Sequence, residues 1–272
     1  VPPYLLGQKV LSVNLSDIAA MGGMPRFALL SLVLRSTISI EWVDTFLEGF
    51  RRQARQYQVD VIGGNLAHTQ GELILDVTVV GEIKRERLLL RNQASIGDLI
   101  MVTGFLGDAG AGLKILLEEQ PINAKRNQYL LNRYFLPDPR IEVGKILADS
   151  DFQMSLIDVS DGFTQDLGHI IKQSRVGAVI ESEKIPLSNP LRLWCSEHGY
   201  DPLDFALSGG EDYELIFTVS PREASSLQKE IQQKTGVPVS IVGEITDGDR
   251  LHIRKNDEEM VFHSHGWNHF SS

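Results

Sequence analysis

Asp158 and Asp161 stand three residues apart in LIDVSDGFTQDLGHI (156–170), where an apolar run ends and a helical pattern begins. Two carboxylates this close repel each other unless a cation or a proton stands between them. One reading makes Ser160 or Asp161 the cap of the following helix and leaves Asp158 as a solvent contact at a strand end. The other puts a hard cation such as Mg²⁺ against the acids, since its preferred ligands are carboxylate and carboxamide oxygens. Capping leaves the second acid unexplained, so metal binding is the preferred reading. The two-residue period of a strand puts Asp158 and Ser160 on one face, with Asp161 at the turn.

Three further stretches deliver small residues and acids or amides to the end of an apolar run: NLSD (14–17), IGGN (62–65) and LSGGEDYE (207–214). Glycine lets the backbone approach a ligand closely. Asp17 lies inside an apolar helical pattern, where aspartate is a poor resident without a partner, although a surface-facing position accounts for it equally well. Glu211 and Asp212 follow two glycines, which fits either an ordinary polar turn or a ligand loop. Arg91 ends LLLRN, where a guanidinium could fork onto phosphate oxygens or simply face solvent. His169 follows Asp166 by three residues, a spacing for packing or a local hydrogen bond. Trp267, in the tail HSHGWNHF (263–270), either docks that tail or stacks on a flat ring. There is no HExxH or CxxC for zinc and no GxxxxGK[ST] loop for a nucleotide.

The elements that must position these groups follow from periodicity. Helices are predicted over 10–22, 39–58 (Ser39 capping, Trp42, Phe46, Phe50 and Ala54 at a spacing of four), 104–119, 160–174 and 222–236. Strands are predicted over 26–34, 59–65 (short, cut by a glycine pair), 73–83 (buried on most of both faces), 97–104, 152–159, 176–182, 213–220 and 239–245. The order lacks a regular βαβ period, which indicates an α+β or mixed α/β fold in two lobes, 1–92 and 93–272.

The 272 residues carry a net charge of −10 and are 42% hydrophobic. That balance supports a packed core and argues against non-specific nucleic-acid binding, which needs a basic face. No apolar run reaches the roughly 20 residues of a membrane helix. Cys195, the single cysteine, is read as a semi-buried apolar side chain compatible with a reducing cytoplasm.

Taken together, VNLSDIAAMGGMP, IGGN, LLLRNQASIGDLIMVTG, DVSDGFTQDLGHI, ALSGGEDYELIFTV and the terminal GWNHF resemble the thiamine-monophosphate kinases, built like aminoimidazole ribonucleotide synthetase. The segments occur in family order and span nearly the whole chain. The resemblance implies transfer of the γ-phosphoryl of ATP to thiamine monophosphate, forming thiamine diphosphate in the cytoplasm. It implies Mg²⁺ on Asp17, Asn65, Asp158 and Asp161, with Asp158 and Asp161 carrying the catalytic work. It also implies ATP contacts from Gly64, Asn65, Arg91 and Ser160, and thiamine contacts from Glu211 and Trp267. The implied architecture is a homodimer whose N-terminal lobes close a β-barrel, each with a C-terminal α/β lobe. Two departures stand out. The family's early Gly-Asp-Asp-Ala segment belongs upstream of Val1, so the chain reads as a truncated version, and Asn65 stands where the family often has Asp. Another ATP-dependent synthetase of the same superfamily and a catalytically inactive dimeric binding homologue are the competing readings.

Overall fold

The computed structural model describes residues 1–118, 125–256 and 258–260. The N-terminal part opens with α1 (Pro3–Ala19), followed by β1 (Met24–Arg35), α2 (Ile40–Gln56), β2 (Asp60–Thr69) and β3 (Ile74–Glu82). Ser39 accepts the Trp42 N–H at 3.2 Å and starts α2, as its sequence predicts. The spacing of four then buries Phe46, Phe50 and Ala54 against α1, where Leu11 and Leu15 are fully buried. Each such side chain contributes about 1.5–3 kcal/mol of apolar burial.

β1 is the centre of a three-stranded sheet ordered β2-β1-β3, parallel to β2 and antiparallel to β3. β2 continues through the glycine pair rather than stopping at it: after a bulge at Ile62, Gly63 and Gly64 pair with Leu29 and Leu30 of β1. A Cβ on Gly64 would stand 1.8 Å from the Leu30 carbonyl oxygen, so no side chain fits there. β3 is not buried on both faces. Leu75, Val77 and Val79 turn inward, whereas Ile74, Asp76, Thr78 and Val80 turn outward, the alternation of a half-covered strand. Phe27, Leu29, Ile74 and Val80 are thereby exposed on an open face, and the described residues of one chain close no barrel.

The rest of the chain builds β4 (Leu99–Thr103), α3 (Asp108–Leu117), α4 (Lys125–Phe135), α5 (Ile141–Asp149), β5 (Leu156–Asp158), α6 (Phe163–Ser174) and β6 (Gly177–Glu181). It continues through α7 (Asn189–His198), α8 (Pro202–Ser208), β7 (Leu215–Val219), α9 (Pro221–Thr235), β8 (Val239–Thr246), β9 (Leu251–Lys255) and β10 (Glu258–Met260). Seven strands order as β10-β9-β6-β8-β4-β7-β5, antiparallel except for the β6–β9 pair. The fold is thus mixed α/β with two sheets. Its largest apolar cluster joins α1 and α2 to α5, α9 and β7, so the sheets share packed material. Cys195 is fully buried rather than half-buried, and burial pushes its thiol up to about 12.

Candidate active site

Three segments meet around one cavity of about 730 Å³. The first is a stripe of α1. Leu11 and Leu15 face the core, so positions 9, 13 and 17, two residues out of phase, turn towards the second sheet. Val13 and Asp17 line the cavity. The second is the turn from β5 into α6, which contributes Asp158, Ser160 and Asp161. The third is the loop between α8 and β7, which contributes Gly209, Gly210, Glu211 and Tyr213.

The two loops are laced by backbone. The Glu211 N–H donates to the Ser160 carbonyl at 2.9 Å, and the Tyr213 N–H donates to the Val159 carbonyl at 2.9 Å. A Cβ on Gly210 would stand 2.4 Å from the Ser160 oxygen, so the approach requires glycine. Glu211 and Tyr213 hold φ of 67° and 51°, left-handed values that cost a non-glycine residue about 1 kcal/mol or more.

Neither Ser160 nor Asp161 caps α6, whose N-cap is Gly162 without a side-chain bond. The carboxylate of Asp166, in the first turn of α6, instead holds the turn that leads into the helix. Its Oδ2 accepts the backbone N–H groups of Ser160, Asp161 and Gly162 at 3.0, 3.1 and 3.2 Å. Burial nevertheless pushes Asp166 up to about 7. His169 lies exposed on the same helix, and its neighbour's bonds go to backbone. With the turn held by Asp166, the side chains of Ser160 and Asp161 are left for the cavity, where the Gln165 amide donates to Asp161 Oδ2 at 3.3 Å.

Asp158 is buried, accepts the Ser16 hydroxyl at 2.7 Å, and is pushed up to about 6. Burial is the main cause, and the charge of Asp17 adds to it. Ser16 and Arg91 pull the other way. Asp17 reaches solvent at the cavity wall, yet partial burial raises it too, against the pull of Arg91. These acids therefore carry an excess of negative charge that no cationic side chain among the described residues cancels, and a bound cation would relieve it. Among the described residues no group of three His, Cys, Asp or Glu side chains stands close enough to hold an ion alone. A hard cation such as Mg²⁺ takes carboxylate oxygens together with waters and phosphate oxygens, and Asp17, Asp158 and Asp161 offer donors of that kind.

The other acid of the glycine loop is structural. Asp212 is buried, accepts the Gly107 and Ala109 N–H groups at 2.6 and 3.1 Å, and so caps α3. Burial pushes it up to about 8. Glu214, fully buried, anchors the loop's far end. Arg140 grips it with bonds of 2.5 and 2.7 Å, Arg133 with 2.7 Å and the Thr103 hydroxyl with 2.6 Å.

Of the residues singled out in the sequence, Asp17, Asp158, Ser160, Asp161 and Glu211 come together on this cavity. Arg91 is exposed and does not line it, but its charge acts on Asp17 and Asp158. Gly64 and Asn65 stand on β2, exposed and away from the cavity, because the outer strand of the small sheet carries them. Trp267 lies outside the described residues. Sequence reading missed Ser16, Asp166, Lys9 and Tyr134. Lys9 had a legible signal, since it falls in the same stripe as Val13 and Asp17, whereas nothing near Tyr134 marks it.

Residues 1–83 match the AIR synthase related protein N-terminal domain, and residues 95–256 match the corresponding C-terminal domain. The thiamine-monophosphate kinase of Aquifex aeolicus is 34% identical over 268 residues, covering 98% of this chain and 82% of the relative. That of Escherichia coli K12 is 38% identical over 277 residues, covering 100% of this chain and 82% of the relative. The chain belongs to the thiamine-monophosphate kinase family. Among solved structures, AaThiL complexed with AMPPCP and TMP superposes with a TM-score of 0.87 at 32% identity, over 99% of this chain and 82% of that one. In this family member the acids of α1 and of the β5–α6 turn line one cavity together with the glycine loop and with Leu113, Tyr134 and Phe205.

Proposed function

We propose that the chain transfers the γ-phosphoryl group of ATP directly to the phosphate of thiamine monophosphate, releasing ADP and thiamine diphosphate. The bond from the γ-phosphorus to the β–γ bridging oxygen breaks, and a bond from that phosphorus to an oxygen of the acceptor phosphate forms. One observation carries the reading. A cavity lined by Asp17, Asp158 and Asp161 together with Leu113, Tyr134 and Phe205 lies in a chain that superposes along 99% of its length on AaThiL complexed with AMPPCP and TMP. Two polyanions must be brought into line, which asks for positioning and charge neutralisation rather than a covalent protein nucleophile.

Asp17, Asp158 and Asp161 would hold Mg²⁺, with Asp158 and Asp161 closest to the catalytic work. Mg²⁺ held there would supply charge neutralisation for the two phosphate groups. Ser160 on the rigid β5–α6 turn and Arg91 beside the acids would contact ATP. Glu211 and Trp267 would contact the thiamine moiety. The proposed lobes are 1–92 and 93–272. The open apolar face of the small sheet supports a homodimer in which two such sheets face each other and close a barrel. Gly64 and Asn65 lie on the outer strand of that sheet, so their roles towards ATP, and that of Asn65 towards Mg²⁺, are tied to the assembled dimer. No helix among the described residues is long and apolar enough to cross a membrane. The buried, unpaired thiol of Cys195 fits a reducing cytoplasm, where we place the reaction.

The test is formation of ADP and thiamine diphosphate with Mg²⁺, with and without thiamine monophosphate. The proposal requires ADP release that depends on the acceptor. ADP formation indifferent to the acceptor rejects it in favour of another synthetase, and absent turnover rejects it in favour of a binding homologue.

A further inference from the structure

We infer that Lys9 is a positioning residue for the acceptor end of the site, holding the Glu211 carboxylate in place for the thiamine moiety. The inference rests on the kinase reading above. Lys9 Nζ lies 2.5 Å from Glu211 Oε2 and 3.3 Å from the centroid of the Tyr134 ring. The three residues come from α1, the glycine loop and α4, with 202 residues of sequence between Lys9 and Glu211. The lysine side chain is 10% exposed and that of Glu211 is 39% exposed, so the cation is enclosed while its partner still faces the cavity.

Lysine is seldom buried without a purpose, since losing water disfavours its charged form. Burial holds the Lys9 ammonium below its usual range, and the Glu211 carboxylate beside it returns part of that cost, with the ring beneath the ammonium adding its own attraction. Glu211 needs such a holder. It sits at a left-handed φ in a loop, shares its cavity with Asp17, Asp158 and Asp161, and must accept two incoming polyanions. An unpaired carboxylate would be driven away from that company. Pairing through Oε2 fixes the side chain and leaves Oε1 without a hydrogen bond among the described residues, turned to a cavity whose proposed acceptor is a cationic ring. Lys9 acts on the ligand through Glu211.

The experiment compares wild type, Lys9→Met, Lys9→Arg, Glu211→Gln and the Lys9→Met/Glu211→Gln double variant by steady-state kinetics varied in each substrate. Lys9→Met raises KM for thiamine monophosphate about tenfold, the scale of losing a charged hydrogen bond that is partly exposed. It changes KM for ATP less than about twofold, and Lys9→Arg recovers most of the loss. In the Glu211→Gln background Lys9→Met adds less than about twofold, because the pair is already broken. If Lys9→Met does not fold, Lys9→Gln is read by the same criteria. Equal effects on both substrates, additive effects with Glu211→Gln, or no effect on KM for thiamine monophosphate overturn the inference while leaving the kinase reading intact. A wild type without acceptor-dependent turnover is the separate result that removes both.

Discussion

Among the described residues, the hydroxyl of Ser16 is the single group that stabilises the charged form of Asp158 by a direct side-chain hydrogen bond, at 2.7 Å and with both partners buried. Ser16→Ala removes it with little change in volume. A hydrogen bond to a charged group contributes about 1.5–3 kcal/mol, and 1.36 kcal/mol corresponds to one pH unit. The carboxyl of Asp158, now pushed up to about 6 by burial, should rise further by about one to two pH units. Only the ionised carboxylate binds Mg²⁺, so the acid limb of the rate profile at sub-saturating Mg²⁺ should move to higher pH by that amount. The assay is ADP release against pH in the two proteins, repeated at saturating Mg²⁺, where mass action should shrink the difference. Stability runs opposite to activity with pH. Without metal, Asp158 binds its proton more tightly folded than unfolded, so its contribution is present below about pH 4 and is lost as pH rises through about 6, roughly 3 kcal/mol in all. A Ser16→Ala protein whose acid limb and Mg²⁺ dependence match wild type would refute the reasoning, since the ionisation of Asp158 would then not control metal binding.

Two further predictions follow from the packing. Glu214→Gln leaves Arg133 and Arg140, both largely buried, short of their counter-charge, and should cost about 3–5 kcal/mol, lowering the thermal midpoint by about 10 °C. Calorimetry checks it, and a loss below about 1 kcal/mol would contradict it. Val80→Glu places a charge on the open face of the small sheet, where Val80 is 49% exposed, and should convert a dimer to a monomer with unchanged far-UV circular dichroism. Analytical ultracentrifugation reads the outcome, and an unchanged sedimentation coefficient would remove that face as the interface.

The helices and strands with strong periodicity were legible in the sequence because one face of each is core. α2 with its Ser39 cap, α9, β4, β7 and β8 lie close to where the pattern puts them. The strand predicted over 152–159 shrinks to Leu156–Asp158, since at Ser155 the pairing falls to an isolated bridge with Leu90 while its N–H turns to Thr218 Oγ1 at 3.1 Å. α7 and α8 went unread because their apolar positions, Leu191 with Trp194 and Cys195, then Ala206 with Leu207, are too few to set a period. The acids of the site could be found because aspartate and glutamate beside glycine at the end of apolar runs are locally odd. Their supports could not. Asp166 looks like any helix surface acid until its carboxylate is seen under three backbone N–H groups, and the meeting of Lys9, Tyr134 and Glu211 depends on α1 crossing to the second sheet. The alternation of β3 was present in ILDVTVV, where Asp76 and Thr78 mark the open face, and the β-branched run obscured it.

The most direct test is a crystal structure with Mn²⁺ in place of Mg²⁺, a non-hydrolysable ATP analogue and thiamine monophosphate, with the metal located by its anomalous scattering. The account predicts Mn²⁺ between the two phosphate groups, with at least two of Asp17, Asp158 and Asp161 as ligands at about 2.2 Å and waters completing the shell. Metal and phosphates bound elsewhere, with those three carboxylates unligated, would contradict it.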